Sequence, residues 1–300
     1  MAFLRIARRR ILFTVRATRK ILLGLSLGAG LAGTVWADSF NFSTGVPDGL
    51  IATGSRPSAT GILEIESADD FILPTDTSIN HATFYGLIPN GLSVSDITQV
   101  RAEIYRVFPK DSANPPSGNV PTRVNSPSDV AFQERDSAAS ELTFSASVVN
   151  GSFAAANSVL NGIHASPNEH TGGEGAVTGT EILLDVTLTT PFDLPADHYF
   201  VIPQVALSSG DFLWLSAPKP TTPPFDPDLQ SWIRNEDLAP DWLRIGGDIV
   251  GGTTFNAAFS VSGDTVPEPG TIGLLGGGLL MAAILGSLRR SRKKIRHSSL

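Results

Sequence analysis

The sequence predicts an all-β body, an antiparallel β-sandwich of jelly-roll-like type, with a signal peptide before it and a single transmembrane helix after it. Two observations predict the body. Its apolar runs are short and alternate with period two, which is typical of half-buried strands. Turn residues separate these runs at intervals of roughly 8–12 residues, as in sandwiches and barrels. No stretch sustains a helical apolar repeat over three turns.

Nine strands are predicted, and the clearest lies at 99–108. Its two faces alternate residue by residue, with Val100, Ala102 and Ile104 on one side and Arg101, Glu103, Tyr105 and Val107 on the other. The other predicted strands are 62–65, 70–73, 82–88, 142–149, 181–188, 199–207, 211–215 and 255–261. Their number and spacing favour one sandwich over the range 38–265.

Two long connections interrupt the strands. The first, 109–130, carries five prolines and is unsuited to a ladder, because each proline removes a hydrogen-bond donor. The second, 217–252, carries six prolines, and a short helix is predicted within it at 228–237, with Asp228 as its cap. Loops of this length in a compact domain are usually functional or disordered.

The two ends of the chain are basic and its middle is acidic. Seven of the 22 Lys and Arg residues lie in the first 20 positions and six in the last 12. Between Asp38 and Leu288, nine basic residues accompany all 29 acidic ones, a formal net charge of −20. Such a body repels phosphates, so nucleic acid is not expected as a partner. The chain has no cysteine, which excludes disulfides and thiolate metal sites.

The range 1–37 has the three parts of a secretory signal peptide. A basic segment precedes an apolar segment at 21–35, and Val35-Trp36-Ala37 fits a cleavage site for signal peptidase. Cleavage there lies between Ala37 and Asp38, which makes Asp38 the first mature residue. The Arg9-Arg10 pair leaves a twin-arginine route open, although general secretion fits better because the pair lies far from the apolar segment.

The C-terminal tail, 266–296, has three parts in a fixed order. A Pro267-Glu268-Pro269 tripeptide is followed by an uncharged apolar run at 271–288. As a helix this 18-residue run would measure about 27 Å, close to the hydrocarbon thickness of a bilayer. Six basic residues then lie within 289–296: Arg289, Arg290, Arg292, Lys293, Lys294 and Arg296. Such a cluster stays on the cytoplasmic side and leaves the body outside.

This tail resembles the PEP-CTERM sorting signal of bacteria that export surface material. The resemblance covers 266–296, and it implies that Pro267, Glu268, Pro269, Arg289 and Arg290 direct sorting and processing. It further implies a precursor held in the inner membrane until an exosortase, a membrane-embedded cysteine peptidase, removes the tail. The processed protein then reaches the cell surface or extracellular matrix. The alternative is an ordinary C-terminal membrane anchor, which needs no such tripeptide.

Acidic and histidine-rich stretches suggest candidate metal sites. Glu64, Asp69 and Asp70 are expected near a turn between two strands, where carboxylates can bind calcium. A solvated turn is the alternative interpretation. The glycine-rich stretch around His164 and His170 is interpreted as a polar surface loop, because its spacing fits no zinc motif. Apart from a weak calcium candidate, no cofactor is expected.

Aromatic residues supply the candidate binding site. Phe225, Trp232 and Trp242 lie in the second long connection, where exposed rings can stack on sugars. Asp228, Asn235 and Arg234 would then supply hydrogen bonds. The alternative is that these aromatic side chains belong to the core or anchor the loop.

The sequence therefore predicts an exported protein of the cell surface or extracellular matrix, with a structural or adhesive role. A carbohydrate-binding module that acts on exopolysaccharide is the alternative. A hydrolase is less favoured, because no nucleophile-elbow or phosphate-loop motif is present.

Overall fold

The computed structural model describes residues 37–112, 118–164, 170–220, 229–252 and 254–266, together with Gly278 and residues 281–285 of the tail. The chain divides into two compact units. One joins Met1–Ala37 with Pro267–Leu300, and of it only Ala37, Gly278 and 281–285 are described. The other is Asp38–Val266, which we call the body.

The described residues of the body form 15 strands, numbered in chain order. They are β1 (Ser39–Ser43), β2 (Ile51–Gly54), β3 (Ile65–Leu73), β4 (Thr77–Pro89), β5 (Ile97–Arg106), β6 (Gln133–Asp136), β7 (Leu142–Ala155), β8 (Asn157–Val159), β9 (Val177–Leu194), β10 (Asp197–Leu207), β11 (Leu213–Ala217), β12 (Trp232–Asn235), β13 (Leu243–Arg244), β14 (Asn256–Ala257) and β15 (Phe259–Thr265). A 3₁₀ turn at Val94–Asp96 and a π-helical turn at Ile245–Val250 complete it.

The strands form two sheets. In the nine-stranded first sheet, β4 pairs with β15, β9 and β11, and β7 pairs with β9. The six-stranded second sheet has the order β13-β12-β3-β10-β5-β6. All strand pairs are antiparallel except β2 with β8, which is parallel. The jelly-roll-like topology stays a prediction.

The two sheets enclose a common core. Phe71, Ile104 and Val201 of the second sheet belong to one cluster of buried residues with Phe84 and Leu184 of the first sheet. Burying each such side chain contributes about 1.5–3 kcal/mol. The all-β prediction is thereby confirmed, with two sheets packed face to face. Among the described residues, the body holds all the strands and all the buried hydrophobic clusters, so its core is complete without the rest of the described chain.

The alternation predicted for 99–108 is confirmed in β5. Val100, Ala102 and Ile104 lie in the core between the sheets. Tyr105 lies on the opposite face, in a separate cluster that covers the outside of the second sheet. That cluster packs Trp232 and Trp242 against the sheet, so both faces of the second sheet are buried there.

Three local predictions are wrong. The strand predicted at 70–73 lies within β3, which begins at Ile65. Only the last residue of the strand predicted at 62–65 therefore belongs to β3, and no turn separates the two predicted strands. The helix predicted at 228–237 is instead the strand β12, because Trp232 and Ile233 point to opposite faces and pair with Ala68 and Ser67 of β3. The connection 217–252 is likewise not a plain loop, since it also contains β13 and the π-helical turn.

The predicted signal peptide and most of the predicted membrane segment lie outside the described residues. Gly278 and 281–285 are helical. Within the described part of the chain, no helix has both the length and the apolar character needed to cross a membrane.

Candidate functional site

The two tryptophans of the second connection are core residues. Trp232 is 1% exposed and Trp242 is 0% exposed, so neither presents an open ring face to a sugar. Trp242 anchors the connection: its Nε1 donates to the Ser128 carbonyl at 3.0 Å, and the Arg234 guanidinium lies 4.3 Å from its ring centre. The core interpretation therefore holds for both, and Phe225 lies outside the described residues.

Trp232 differs from Trp242 in one respect. Its indole Nε1 is buried and has no hydrogen-bond partner among the described residues, and the same is true of Gln230 Oε1. Both residues line one cavity of about 340 Å³. The other lining residues described are Thr122, Val124, Asn125, Lys219, Leu229, Arg244 and Thr254. Leaving a buried donor or acceptor unsatisfied costs about 1–3 kcal/mol, so a ligand group that bonds either atom would gain affinity.

The chemistry of this cavity fits a small ligand with hydroxyl groups. The indole N–H needs an acceptor and the Gln230 carbonyl needs a donor, and a hydroxyl group is both. Arg244 adds a cation at the wall. Its guanidinium bonds Asp248 at 2.5 Å, and this hydrogen bond raises the pKa of Arg244 above its ordinary value. The volume lies at the small end of the range for ligand sites, about 300–1,000 Å³.

A buried ion pair lies on the outer face of the second sheet. Arg234 bonds both oxygens of Glu66, with Nη2 3.0 Å from Oε1. The Tyr105 hydroxyl donates to Glu66 Oε1 at 2.7 Å and accepts from Arg234 Nη2 at 2.9 Å. Burial first, and the charge of Glu66 second, raise the pKa of Tyr105. The tyrosine is therefore a neutral donor.

Glu103 lies on the same face, with the half-buried Arg101 as its cation at 3.6 Å from Oε1. It is 4% exposed, and its Oε2 has no hydrogen-bond partner among the described residues. Burial raises the pKa of Glu103 well above the ordinary value, and the charges of Glu66 and Glu64 add to this effect. Burial also raises the pKa of Glu64. The described lining of the cavity includes none of these carboxylates.

A second buried arginine ties the two long connections together. Arg123, in the first connection, bonds Asp129 and Asp241 at 2.9 Å each and donates to the Pro127 carbonyl at 3.1 Å. Asp241 belongs to the second connection. The described parts of both connections are thus fixed layers over the second sheet, and a sequence pattern cannot reveal pairs so far apart.

The calcium candidates lie in the strand β3 or directly before it. Asp69 and Asp70 are buried in β3 and not at a turn, which corrects the prediction. Asp69 accepts from Ala257 N at 2.7 Å, and Asp70 from Leu229 N at 3.0 Å and His198 Nε2 at 2.6 Å. Glu64 accepts from Gln204 at 2.8 Å. Within the described ranges no three His, Asp or Glu residues are arranged to hold a metal ion, and calcium binding stays a prediction.

Hydrogen bonds fix the described part of the loop around His164 and His170. Glu174 accepts from the backbone N–H groups of Leu160, Asn161 and Gly162 at 2.7–2.9 Å. His170 Nδ1 lies 3.1 Å from the Asp248 carbonyl. The described part of this stretch is a surface loop, as predicted.

The first and last strands of the body bring its two ends, Asp38 and Val266, together. Asp38 N donates to Thr265 Oγ1 at 2.9 Å, and Thr265 N donates to the Asp38 carbonyl at 2.8 Å. Ala37, Asp38 and Val266 are exposed. Pro267, Glu268, Pro269, Arg289 and Arg290 lie outside the described residues.

Comparison with known families identifies the tail. A family model for the PEP-CTERM protein-sorting motif matches residues 265–293. The chain carries a PEP-CTERM sorting motif. The resemblance predicted for 266–296 is thus confirmed, and the PEP-CTERM motif implies an exported precursor, exosortase processing and a final location at the cell surface.

Other comparisons add little. No curated protein matches the chain. Among solved structures, the subviral particle of infectious bursal disease virus VP2 has 10% sequence identity and a TM-score of 0.17. That match covers 78% of this chain and 43% of the VP2 chain, and its score is too low to carry an argument.

Proposed function

We propose that the body is a structural or adhesive protein of the cell surface or extracellular matrix, delivered there by an exosortase. One observation carries the proposal beyond the motif itself: the body begins at Asp38 and ends at Val266, and these ends lie side by side. Both cleavages therefore remove chain outside the strands and leave every buried cluster intact. Its large negative charge keeps such a secreted body soluble.

The test follows the chain in an exosortase-containing host. Replacing Pro267, Glu268 and Pro269 with alanine is expected to retain an unprocessed precursor in the membrane fraction. Deleting the host exosortase should have the same effect. The matched control is alanine substitution at 297–299, beyond the matched motif. Unchanged surface delivery in both the triple variant and the exosortase-deficient host would contradict the proposal.

A second candidate function is the binding of a small carbohydrate in the Trp232 cavity. The unpartnered Trp232 Nε1 and Gln230 Oε1 favour it, because both residues line the cavity and a hydroxyl group is the partner that each atom lacks. A cavity of this size suits one or two sugar units at the end of an exopolysaccharide, whereas a flat aromatic platform would suit the middle of such a polymer.

Calorimetric titration of the body with neutral and acidic mono- and disaccharides tests this candidate. Trp232→Phe keeps an aromatic ring and removes the N–H, so it should weaken binding about tenfold. Trp242→Phe is the control, because its N–H bonds Ser128. Absence of binding to every sugar, or equal effects of the two variants, would reject the candidate.

A further inference from the structure

The strand β7 differs from every other strand that pairs on one side only. Five such strands, β1, β6, β8, β13 and β14, have five residues or fewer. β7 has 14 residues and, within the described chain, pairs only with β9. Alternate residues of an edge strand turn their N–H and C=O groups away from the neighbouring strand, so a long edge is a template for another strand.

β7 also lacks the residues that protect sheet edges. Its sequence, LTFSASVVNGSFAA, contains no charged residue and no proline. The edge strand β6, in contrast, has charged residues at three of its four positions. The register of β7 with β9 is regular from Leu142 to Val148 and shifts only beyond it. Seven uninterrupted residues without charge or proline are the kind of segment that pairs with a copy of itself.

We propose that two copies of the exported body associate by antiparallel pairing of their β7 edges. This inference rests on the proposed structural or adhesive role and names its partner, a second copy of this chain. Pairing centred on Ser145 places Thr143 opposite Ser147 of the second copy and Phe144 opposite Ala146. Thr143, Ser145 and Ser147 are exposed, so cross-strand hydroxyl pairs form on one face.

Repulsion between two acidic bodies is weakest at the uncharged β7 edge and stronger elsewhere. The formal charge of −20 between Asp38 and Leu288 makes two bodies repel each other over most of their surfaces. β7 brings no like charges together, and its exposed Val148 and Val149 lose contact with water when strands pair. A twofold pair uses the same surface in both copies, which is the commonest symmetry of homodimers.

The absence of cysteine provides a direct test on the body, Asp38–Val266. In the proposed register, Ser145→Cys places two thiols opposite each other, within reach of a disulfide. Thr187→Cys is the matched control, because Thr187 is exposed on β9, opposite Thr143, and not at the edge. Mild oxidation should link S145C into dimers at least about tenfold faster than T187C.

A second measurement follows association without a crosslink. The mass of the unmodified body in sedimentation should rise toward that of a dimer with increasing concentration. Ser145→Glu places like charges opposite each other and should weaken association about tenfold, whereas Thr187→Glu should not. Circular dichroism confirms that both variants fold. The inference would be overturned by a body that stays monomeric, or by equal effects of S145E and T187E. Correct surface delivery in either case would leave the proposed function standing.

Discussion

The buried Glu103 carboxyl makes the stability of the body fall as pH rises. The folded state raises the pKa of Glu103, chiefly through burial, so it holds a proton that the unfolded chain has lost. Where the folded state binds more protons, the free energy of unfolding decreases with pH. The contribution is fully present below the unfolded value of about 4.3 and is lost as pH rises through the folded pKa. Glu103→Gln mimics the protonated side chain and should remove this dependence.

The size of the effect follows from the surroundings of the carboxyl. Above its folded pKa, Glu103 is a buried charge near Glu66, and its Oε2 has no hydrogen-bond partner among the described residues. Arg101, 3.6 Å from Oε1, offsets this cost only in part, since the net effect of the surroundings is to raise the pKa of Glu103. A buried unsatisfied group costs about 1–3 kcal/mol, and each unit of pKa difference corresponds to about 1.4 kcal/mol. We therefore expect Glu103→Gln to raise the free energy of unfolding by about 1–3 kcal/mol at pH 8 and to change it little at pH 4.

Urea denaturation of the body from pH 4 to 9, followed by tryptophan fluorescence, measures this directly. Glu134→Gln is the matched control, because Glu134 pairs with Glu103 across β5 and β6 but is exposed. The control should retain the pH dependence of the unmodified body. If Glu103→Gln destabilises the body at pH 8, or leaves the slope unchanged, the account of this carboxyl is refuted.

Two further substitutions test the packing of the body by the same urea assay. Arg234→Met leaves the buried Glu66 without its cation and should cost about 3–5 kcal/mol; a loss below 1 kcal/mol would show that the pair is not desolvated. Gly86→Ala places a Cβ 1.9 Å from the Phe212 ring and should cost about 1–3 kcal/mol. Gly151→Ala, which meets nothing within 4 Å, should be close to neutral, and equal losses in the two glycine variants would contradict the packing argument.

The sequence allowed prediction of strands whose two faces differ. In β5 the core face is apolar and the outer face is polar, so period two is visible and the prediction was confirmed. In β3 both faces are buried, and Glu66, Asp69 and Asp70 resemble a solvated turn. Their partners lie 39–188 residues away, and such pairs leave no local signal.

The candidate cavity was predicted only in part. Trp232 stood out by residue type, but the pairing of β12 with β3 buries its ring and leaves only its N–H without a partner. That arrangement depends on the packing of both long connections, which no spacing rule predicts. The tail was predictable because a sorting signal acts as a linear segment, whose order of tripeptide, apolar run and basic cluster is itself the information.

Intact-mass and terminal-peptide spectrometry of the protein recovered from the cell surface tests the central claim most directly. The account predicts a chain that begins at Asp38, ends within or next to Pro267-Glu268-Pro269 and lacks the basic cluster at 289–296. A surface-located chain that still extends to Leu300 would contradict it.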